Sequence, residues 1–188
     1  MIIKRNFYDH NTIKVAKELL GCFLVRKYRG KIIRAMITET EAYRGEYDLA
    51  SHASRGKTSR TEIMYGHPGR AYVYMIYGMY FMLNVVTEKK DFPAAILIRA
   101  IQTEDGKRLD GPGKLTKFLH VDKSLNDCDL AKGEKLWLES ASSPRVEAGR
   151  RTKDKKRPKI MKSPRIGINY ARHSKAWKWN FRISPKKS

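Results

Sequence analysis

The sequence predicts a mixed α/β (α+β) fold, in which a single domain has a largely antiparallel sheet surrounded by helices. The chain has 188 residues, which suits one domain, or at most two small ones. Hydrophobic residues make up 41% of it, enough for a real core and an argument against disorder of the whole chain. Most of its apolar runs follow one another through short turns, an arrangement that favours antiparallel neighbours. We therefore expect one domain over residues 1–188.

The first predicted elements are a helix and a hairpin. Asn11 can cap a helix over residues 12–20, and Gly21 would end it. The runs CFLVRKY and KIIRAMITETEAY, joined by a Tyr-Arg-Gly turn, predict a β-hairpin. Residues 44–60 are polar and contain glycine, which predicts a loop with one helical turn around Asp48–His52.

Three further strands are predicted after a GHPG turn at residues 66–69. They cover Tyr72–Ile76, Tyr80–Val86 and Pro93–Ile101, and Tyr77-Gly78-Met79 joins the first two. Beyond them, GPGKLTKFLH predicts a turn that leads into a short helix, and EKLWLES predicts another strand.

The charge balance indicates a polyanionic partner. Lys and Arg number 40 against 19 Asp and Glu, a formal net charge of +21. Nucleic acid is then favoured over a membrane surface, although a basic host proteome would also produce such a composition. The stretch from Arg145 to Arg165 is rich in Lys and Arg, and its only acidic residues are Glu147 and Asp154. We expect residues 145–165 to form a basic, mobile loop within the domain.

The cysteines and the apolar runs point to a cytoplasmic protein. Cys22 and Cys128 are too few for a disulfide scaffold, and no CxxC pair is present for zinc. The N-terminus lacks the apolar run of a signal peptide. The longest apolar stretch, Ala71–Val86, is interrupted by Gly78 and Asn84 and is shorter than the about 20 residues of a spanning helix.

Candidate catalytic residues lie in ITETEAY, residues 37–43. Strand alternation would place Ile37, Glu39, Glu41 and Tyr43 on one face. Two carboxylates about 7 Å apart along a strand repel each other when buried, so they need a cation, a metal ion or one exposed member. An exposed edge strand with a solvated acidic face would satisfy the same pattern.

Arg99 stands alone among the apolar residues of FPAAILIRAI, where an arginine is rarely tolerated unless it is paired. A carboxylate of the acidic strand is the obvious partner. Such a pair can hold a carboxylate ionised and oriented, with one oxygen free for a water, as a general base requires. A structural salt bridge with no catalytic role would explain the same arginine equally well.

No metal site is expected. Glu39, Glu41, Asp48 and His52 could be imagined as ligands of a metal-dependent nuclease, but their spacing fits no compact motif such as HExxH. Taken alone, His52 is an ordinary loop histidine.

The tyrosine-rich stretch YVYMIYGMYF, residues 72–81, predicts a hairpin with an aromatic tip. Tyr72, Tyr74 and Ile76 would share a face, and Gly78 would allow a turn from which Tyr77 projects as a wedge between bases. Tyr74, together with a second tyrosine of the acidic strand, could sandwich a base that has left the stack. Packing of these rings in the core is the alternative.

Six motifs resemble, in order and spacing, the alkyladenine (3-methyladenine) DNA glycosylase family. They are ETEAY (39–43), SHASRG (51–56), PGRAYVYMIYGMYFMLNVV (68–86), ILIRA (96–100), GPGKL (111–115) and RIGIN (165–169). The resemblance implies a curved antiparallel sheet whose hairpin protrudes at the DNA-binding face. It also implies a monofunctional monomer that flips damaged purines out of double-stranded DNA and hydrolyses their N-glycosidic bond, without a cofactor. 3-Methyladenine and 7-methylguanine would be substrates, with hypoxanthine and ethenoadenine as further candidates.

The resemblance also implies roles at the reacting bond. Glu41 would deprotonate the attacking water, Arg99 would help to hold that water, and the backbone carbonyl of Ile168 would complete its cradle. Lys114 lies near the start of its predicted helix, and its position and charge alone make it a candidate for contact with a DNA phosphate. The alternative is that Lys114 is an ordinary solvated surface residue.

Five more residues match positions that handle the base. Tyr43 and His52 would stack on and contact the flipped base, with Tyr74 on its opposite face. Tyr77 would fill the vacated space in the duplex, and Asn84 would exclude unmodified guanine through its 2-amino group. A non-catalytic nucleic-acid-binding protein that stacks bases on tyrosines is the alternative function. It accounts for the charge and the aromatic residues, but not for an arginine in a buried strand.

Overall fold

The computed structural model describes residues 1–141 and 159–184. The strands of these residues are, in chain order, β1 (Phe23–Tyr28), β2 (Lys31–Arg44), β3 (Ala71–Ile76), β4 (Tyr80–Val86), β5 (Ala94–Thr103), β6 (Arg108–Asp110), β7 (Leu136–Glu139), β8 (Ile160–Ser163) and β9 (Asn180–Ile183). The α-helices are α1 (Arg5–Tyr8), α2 (Thr12–Glu18) and α3 (Pro112–Phe118). Short 3-10 turns cover His52–Arg55, Glu62–Tyr65, Lys123–Leu125 and Arg172–Ala176. The content of strands and helices confirms the α+β class.

The strands form one curled antiparallel sheet, as predicted. Its main path runs β3-β4-β5-β2-β1-β7, with β6 beside β5 and with β8 and β9 joined to β2 through β9. The central strand β2 is the longest: one edge pairs with β5, while the other pairs first with β1 and then with β9. Residues near the C-terminal end of β2 therefore lie between β5 and β9, which are far apart from each other in the sequence.

Local signals explain the first elements. The side chain of Asn11 accepts hydrogen bonds from the backbone N–H groups of Ile13 and Lys14, which confirms the predicted N-cap. Helix α2 ends at Glu18, two residues earlier than the predicted limit. Arg29 and Gly30 both have positive φ, 48° and 75°, as the two-residue hairpin turn between β1 and β2 requires.

The core lies between one face of the sheet and helices α2 and α3. Val15 of α2, Leu115 of α3 and Ile98 of β5 belong to one hydrophobic cluster and have no solvent exposure. Burial of side chains of this size stabilises the fold by about 1.5–3 kcal/mol each. The core therefore holds β2 and β5, which carry the acidic residues and Arg99, in a fixed relation.

Strand β2 departs from simple alternation, and the prediction that Ile37 shares a face with the two glutamates is wrong. The pairing with β5 shifts register on both sides of Glu39: Thr38 of β2 is unpaired before it, and Arg99 of β5 is unpaired after it. Ile37 packs in the main core, and the Thr40 hydroxyl donates to a backbone carbonyl of α2. Because a bulge moves the following residues to the other face, Glu39 and Glu41 point away from the core that holds Ile37.

Other predictions need smaller corrections. Of the expected basic loop, residues 145–158 lie outside the described residues, whereas Ile160–Ser163 forms β8 and Arg165 is buried. The helical turn expected around Asp48–His52 begins at His52 instead. The apolar stretch Ala71–Val86 forms the hairpin of β3 and β4, and no helix of the described residues is long and apolar enough to cross a membrane.

Candidate active site

Glu41 lies at the centre of a buried polar cluster on the face of β2 opposite the core. It has no solvent exposure. Its Oε1 accepts hydrogen bonds from the backbone N–H of Ile166 at 2.8 Å and from the side-chain amide of Asn180 at 3.0 Å. Its Oε2 accepts from the Tyr43 hydroxyl at 2.8 Å. These partners are all donors, so they match an ionised carboxylate.

Arg99 pairs with the acidic strand, as its place in an apolar strand predicts. Its Nε lies 3.2 Å from Oε1 of Glu39 and 3.7 Å from Oε1 of Glu41. The amide of Asn180 bridges the same two carboxylates, with 2.7 Å to Glu39. Two acidic groups thus share one guanidinium and one amide, which leaves this cluster with a formal charge of −1.

Tyr43 is half-buried beside Glu41. Burial raises the pKa of its hydroxyl well above the ordinary range, and the Glu41 carboxylate raises it further. Tyr43 therefore stays a neutral hydrogen-bond donor. Ile168, the other expected neighbour of the reacting water, is buried beside Tyr43, and its carbonyl accepts a hydrogen bond from Ala171.

His52 and Tyr74 lie together in a second aromatic group. Nδ1 of His52 lies 2.9 Å from the Tyr72 hydroxyl, and its ring meets Tyr74 edge-on with 4.6 Å between centroids. Burial lowers the pKa of His52 to about 4, with the nearby Arg60 contributing. His52 is therefore neutral at physiological pH and adds no positive charge here.

Asn84 lies opposite Tyr72 in the β3–β4 register and is buried. Its amide nitrogen donates to the backbone carbonyl of Tyr72 at 3.1 Å and lies 3.4 Å from that of Met82. These bonds fix the orientation of the carboxamide. The residue is held as a rigid part of the sheet, beside the Tyr72 ring that contacts His52.

The tip of the β3–β4 hairpin is exposed and apolar. Tyr77 is 85% exposed, and Met75, Met79 and Tyr80 beside it are also exposed. Tyr77 and Gly78 both have positive φ, 52° and 67°, so the turn bends as the glycine predicts but also places Tyr77 itself in the left-handed region. Tyr80, the first residue of β4, is 47% exposed.

Two further sequence features have simple structural positions. Lys114 lies on the exposed side of α3. Glu88, in the charged segment before β5, accepts hydrogen bonds from the backbone N–H of Thr12 and from Arg44. It therefore joins the start of α2 to β2.

The four residues considered as metal ligands do not converge. Glu39 and Glu41 contact Arg99, Asp48 forms a buried pair with Arg165, and His52 contacts a tyrosine. Within residues 1–141 and 159–184, no group of three or more His, Cys, Asp and Glu side chains is placed to hold a metal ion.

Comparison with known proteins identifies the family. A family model described as methylpurine-DNA glycosylase matches residues 6–187. The chain belongs to the methylpurine-DNA glycosylase family. It is accordingly a DNA glycosylase, a hydrolase of N-glycosyl bonds, and its partner is DNA.

Similar proteins agree with this family over nearly the whole chain. Relatives from Methanocella arvoryzae, Clostridium perfringens (strain SM101) and Legionella pneumophila (strain Corby) are 40%, 38% and 42% identical. The matches cover 96%, 100% and 90% of this chain and 91%, 98% and 87% of those proteins. Each of the three carries the name "Putative 3-methyladenine DNA glycosylase".

Three contributors to the site of this glycosylase were not predicted from its sequence. Asn180 and the backbone of Ile166 come from the last part of the chain, and Arg165 lies beneath Tyr43. A lone asparagine and a backbone N–H carry no sequence signal. Arg165 did have a sequence signal, because it is the first residue of the RIGIN motif. It also ends a basic stretch, whose arginines were expected to be exposed to solvent.

Proposed function

We propose that this glycosylase removes alkylated purines, including 3-methyladenine and 7-methylguanine, from double-stranded DNA with a water activated by Glu41. The observation that carries the proposal is the environment of Glu41, a fully buried carboxylate surrounded by donors and an arginine. An ordinary structural glutamate would gain little from such a site, because burying a carboxylate is costly. A general base needs this fixed, ionised state.

The reaction is a hydrolysis at C1′ of the nucleotide. The C1′–N bond breaks, its electron pair leaves with the base, and the sugar acquires oxocarbenium character. The negative cluster of Glu39, Glu41 and Arg99 would stabilise that charge. The water oxygen then bonds to C1′, and Glu41 accepts the water proton. The expected product is an abasic site in an uncut strand.

The hydrogen bonds of Glu41 suggest how water gains access. A carboxylate has about four lone-pair positions, of which two on Oε1 and one on Oε2 are used. The remaining position on Oε2 is adjacent to the Tyr43 hydroxyl. Since Glu41 has no solvent exposure, a group beside the carboxylate must move before water reaches Oε2. Arg99 and the carbonyl of Ile168 would then hold the water.

The electrostatics of the site suit cationic bases. A chain of net charge +21 presents a negative cluster and neutral aromatic rings at its proposed pocket. The Arg60 guanidinium, 5.1 Å from the centroid of Tyr74, is a nearby cation. Tyr43 and Tyr74 would stack on the two faces of an electron-poor base, with His52 in contact. Asn84, held by the β3 backbone, would disfavour unmodified guanine through its 2-amino group, and the positive charge of 7-methylguanine would offset this cost for the methylated base. Hypoxanthine and ethenoadenine are neutral, so their departure depends more on protonation of the leaving base.

The surface around the site would handle the duplex. Tyr77, at an exposed hairpin tip, would insert where the damaged nucleotide has left the stack. Lys114 would contact phosphate. We propose that the enzyme acts as a monomer in the cytoplasm, at the nucleoid if the source is bacterial.

Base release from methylated duplex DNA tests the proposal. The wild-type protein is expected to release 3-methyladenine and 7-methylguanine without a metal ion, whereas Glu41→Gln should be slower by about 10²–10⁴-fold and still bind lesion DNA. Glu62→Gln, the same change at an exposed glutamate, is the matched control. Full release by Glu41→Gln would refute the assignment of the base. Failure of the wild type to release any alkylated base would favour the non-catalytic alternative.

A further inference from the structure

A buried ion pair lies directly behind Tyr43. Arg165 and Asp48 both have side chains with no solvent exposure. Their contact is bidentate: Nη1 lies 2.5 Å from Oδ2 and Nη2 lies 2.8 Å from Oδ1. Arg165 also donates to the backbone carbonyl of Ala42 at 2.9 Å, and Asp48 accepts from the backbone N–H of Ala50 at 3.1 Å. The pair is therefore tied to both ends of the segment that carries Tyr43.

The guanidinium of Arg165 lies over two aromatic rings. It lies 4.7 Å from the centroid of Tyr43 and 5.1 Å from that of Trp179. One face of Tyr43 is thus covered by a cation that has no access to solvent. A base that stacks on Tyr43 must use the opposite face.

This arrangement raises an electrostatic difficulty for a cationic base. Stacked rings have centroids about 4.5 Å apart at closest, so the base would lie about 9 Å from the Arg165 charge. A unit charge at that distance, with an effective dielectric constant of about 20, changes affinity for a unit cation about twentyfold. Asp48 cancels most of this field.

We infer that Asp48 is a specificity-determining residue, whose charge compensates Arg165 so that Tyr43 can accept a cationic alkylpurine. The inference rests on the proposed function. Arg165 keeps the Tyr43 ring in place and draws electron density to its covered face. Asp48 makes the ion pair behind Tyr43 neutral overall. The field felt by the base is then set by the negative cluster at Glu41 and by the Arg60 guanidinium, which lies 5.1 Å from the centroid of Tyr74.

Changes of charge at the two positions separate this role from a structural one. In a Glu41→Gln background, in which turnover is slow, we would measure binding to three duplexes, with 7-methylguanine (cationic), ethenoadenine (neutral) or a tetrahydrofuran abasic site. Asp48→Asn leaves the Arg165 charge uncompensated and should lower the 7-methylguanine to ethenoadenine affinity ratio about 5–20-fold. Arg165→Gln leaves the Asp48 charge and should raise that ratio. The double variant should return it to within about threefold of the parent.

Controls distinguish the possible outcomes. Abasic-duplex binding verifies that each variant is folded, since no base then faces Tyr43. Asp127→Asn makes the same change in another bidentate pair, that of Asp127 with Arg70, in which both contacts are 2.6 Å. The side chain of Asp127 is more than half-exposed. It should not alter the ratio. Equal loss of both lesion duplexes in each single variant, or an unchanged ratio, would overturn the inference. Absence of base release by the wild type would instead overturn the proposed function.

Discussion

The neutral state of His52 has a measurable thermodynamic consequence. Burial lowers its pKa from 6.5 to about 4 in the folded protein. Between these two pH values the unfolded chain binds a proton at this position and the folded chain does not. Folding stability therefore falls as the pH is lowered through this window, and it is unaffected by His52 above pH 6.5.

The size of the effect follows from the same values. A folded pKa of about 4 against 6.5 corresponds to about 3.4 kcal/mol for a fully buried group. Because His52 is only partly buried, solvent screening reduces the expected value to about 2 kcal/mol. We predict that His52→Gln, which cannot titrate, loses about 2 kcal/mol less than the wild type between pH 7 and pH 4.

Urea unfolding at several pH values measures this difference. The free energy of unfolding in water is determined for both proteins at pH 7, 6, 5 and 4, and the change of each with pH is compared. Loss of the Tyr72 hydrogen bond lowers the stability of His52→Gln at every pH, so the slope is the informative quantity. His67→Gln, the same change at an exposed histidine, is the matched control. Parallel curves for the wild type and His52→Gln would refute the reasoning.

Three further predictions concern other parts of the site. Asn180→Ala removes a hydrogen-bond donor to two buried carboxylates. Because a hydrogen bond to a charged group contributes about 1.5–3 kcal/mol, single-turnover base release should fall about 10–100-fold, and an unchanged rate would contradict the positioning role. Tyr77→Ala should change the free energy of unfolding by less than about 0.5 kcal/mol while lesion-duplex affinity falls about tenfold, and equal losses in both would contradict a wedge at an exposed tip. Lys114→Ala should reduce the slope of log affinity against log salt concentration by about 1, and an unaltered slope would leave this lysine without a phosphate contact.

Local signals explain why much of the fold was predictable from sequence. Asn11 caps its helix through its own side chain, and the two hairpins have turns whose residues adopt positive φ. The pairing of Arg99 was also predictable, because an arginine within an apolar strand has few ways to satisfy its charge. Each of these inferences needs only a few neighbouring residues.

Features that depend on distant parts of the chain were not predictable. The bulge at Thr38 arises where β2 exchanges one neighbour for another, and the identity of Thr38 does not signal it. Asn180 becomes important only because β9 pairs with β2 beside Glu41. Arg165 was included in a charged stretch, whereas its burial depends on Asp48, 117 positions away in the sequence.

In the proposed mechanism, the position of β9 makes activity depend on a late part of the chain. Glu41 and Arg99 are synthesised early, but two of the hydrogen-bond donors to Glu41 come from Ile166 and Asn180. Domains are made from the N-terminus, so a growing chain has the carboxylate before the groups that orient it. An unfinished or C-terminally truncated chain would carry the basic surface that attracts DNA without an assembled centre to cut glycosidic bonds. Under the proposed mechanism, such a chain would bind DNA without creating abasic sites.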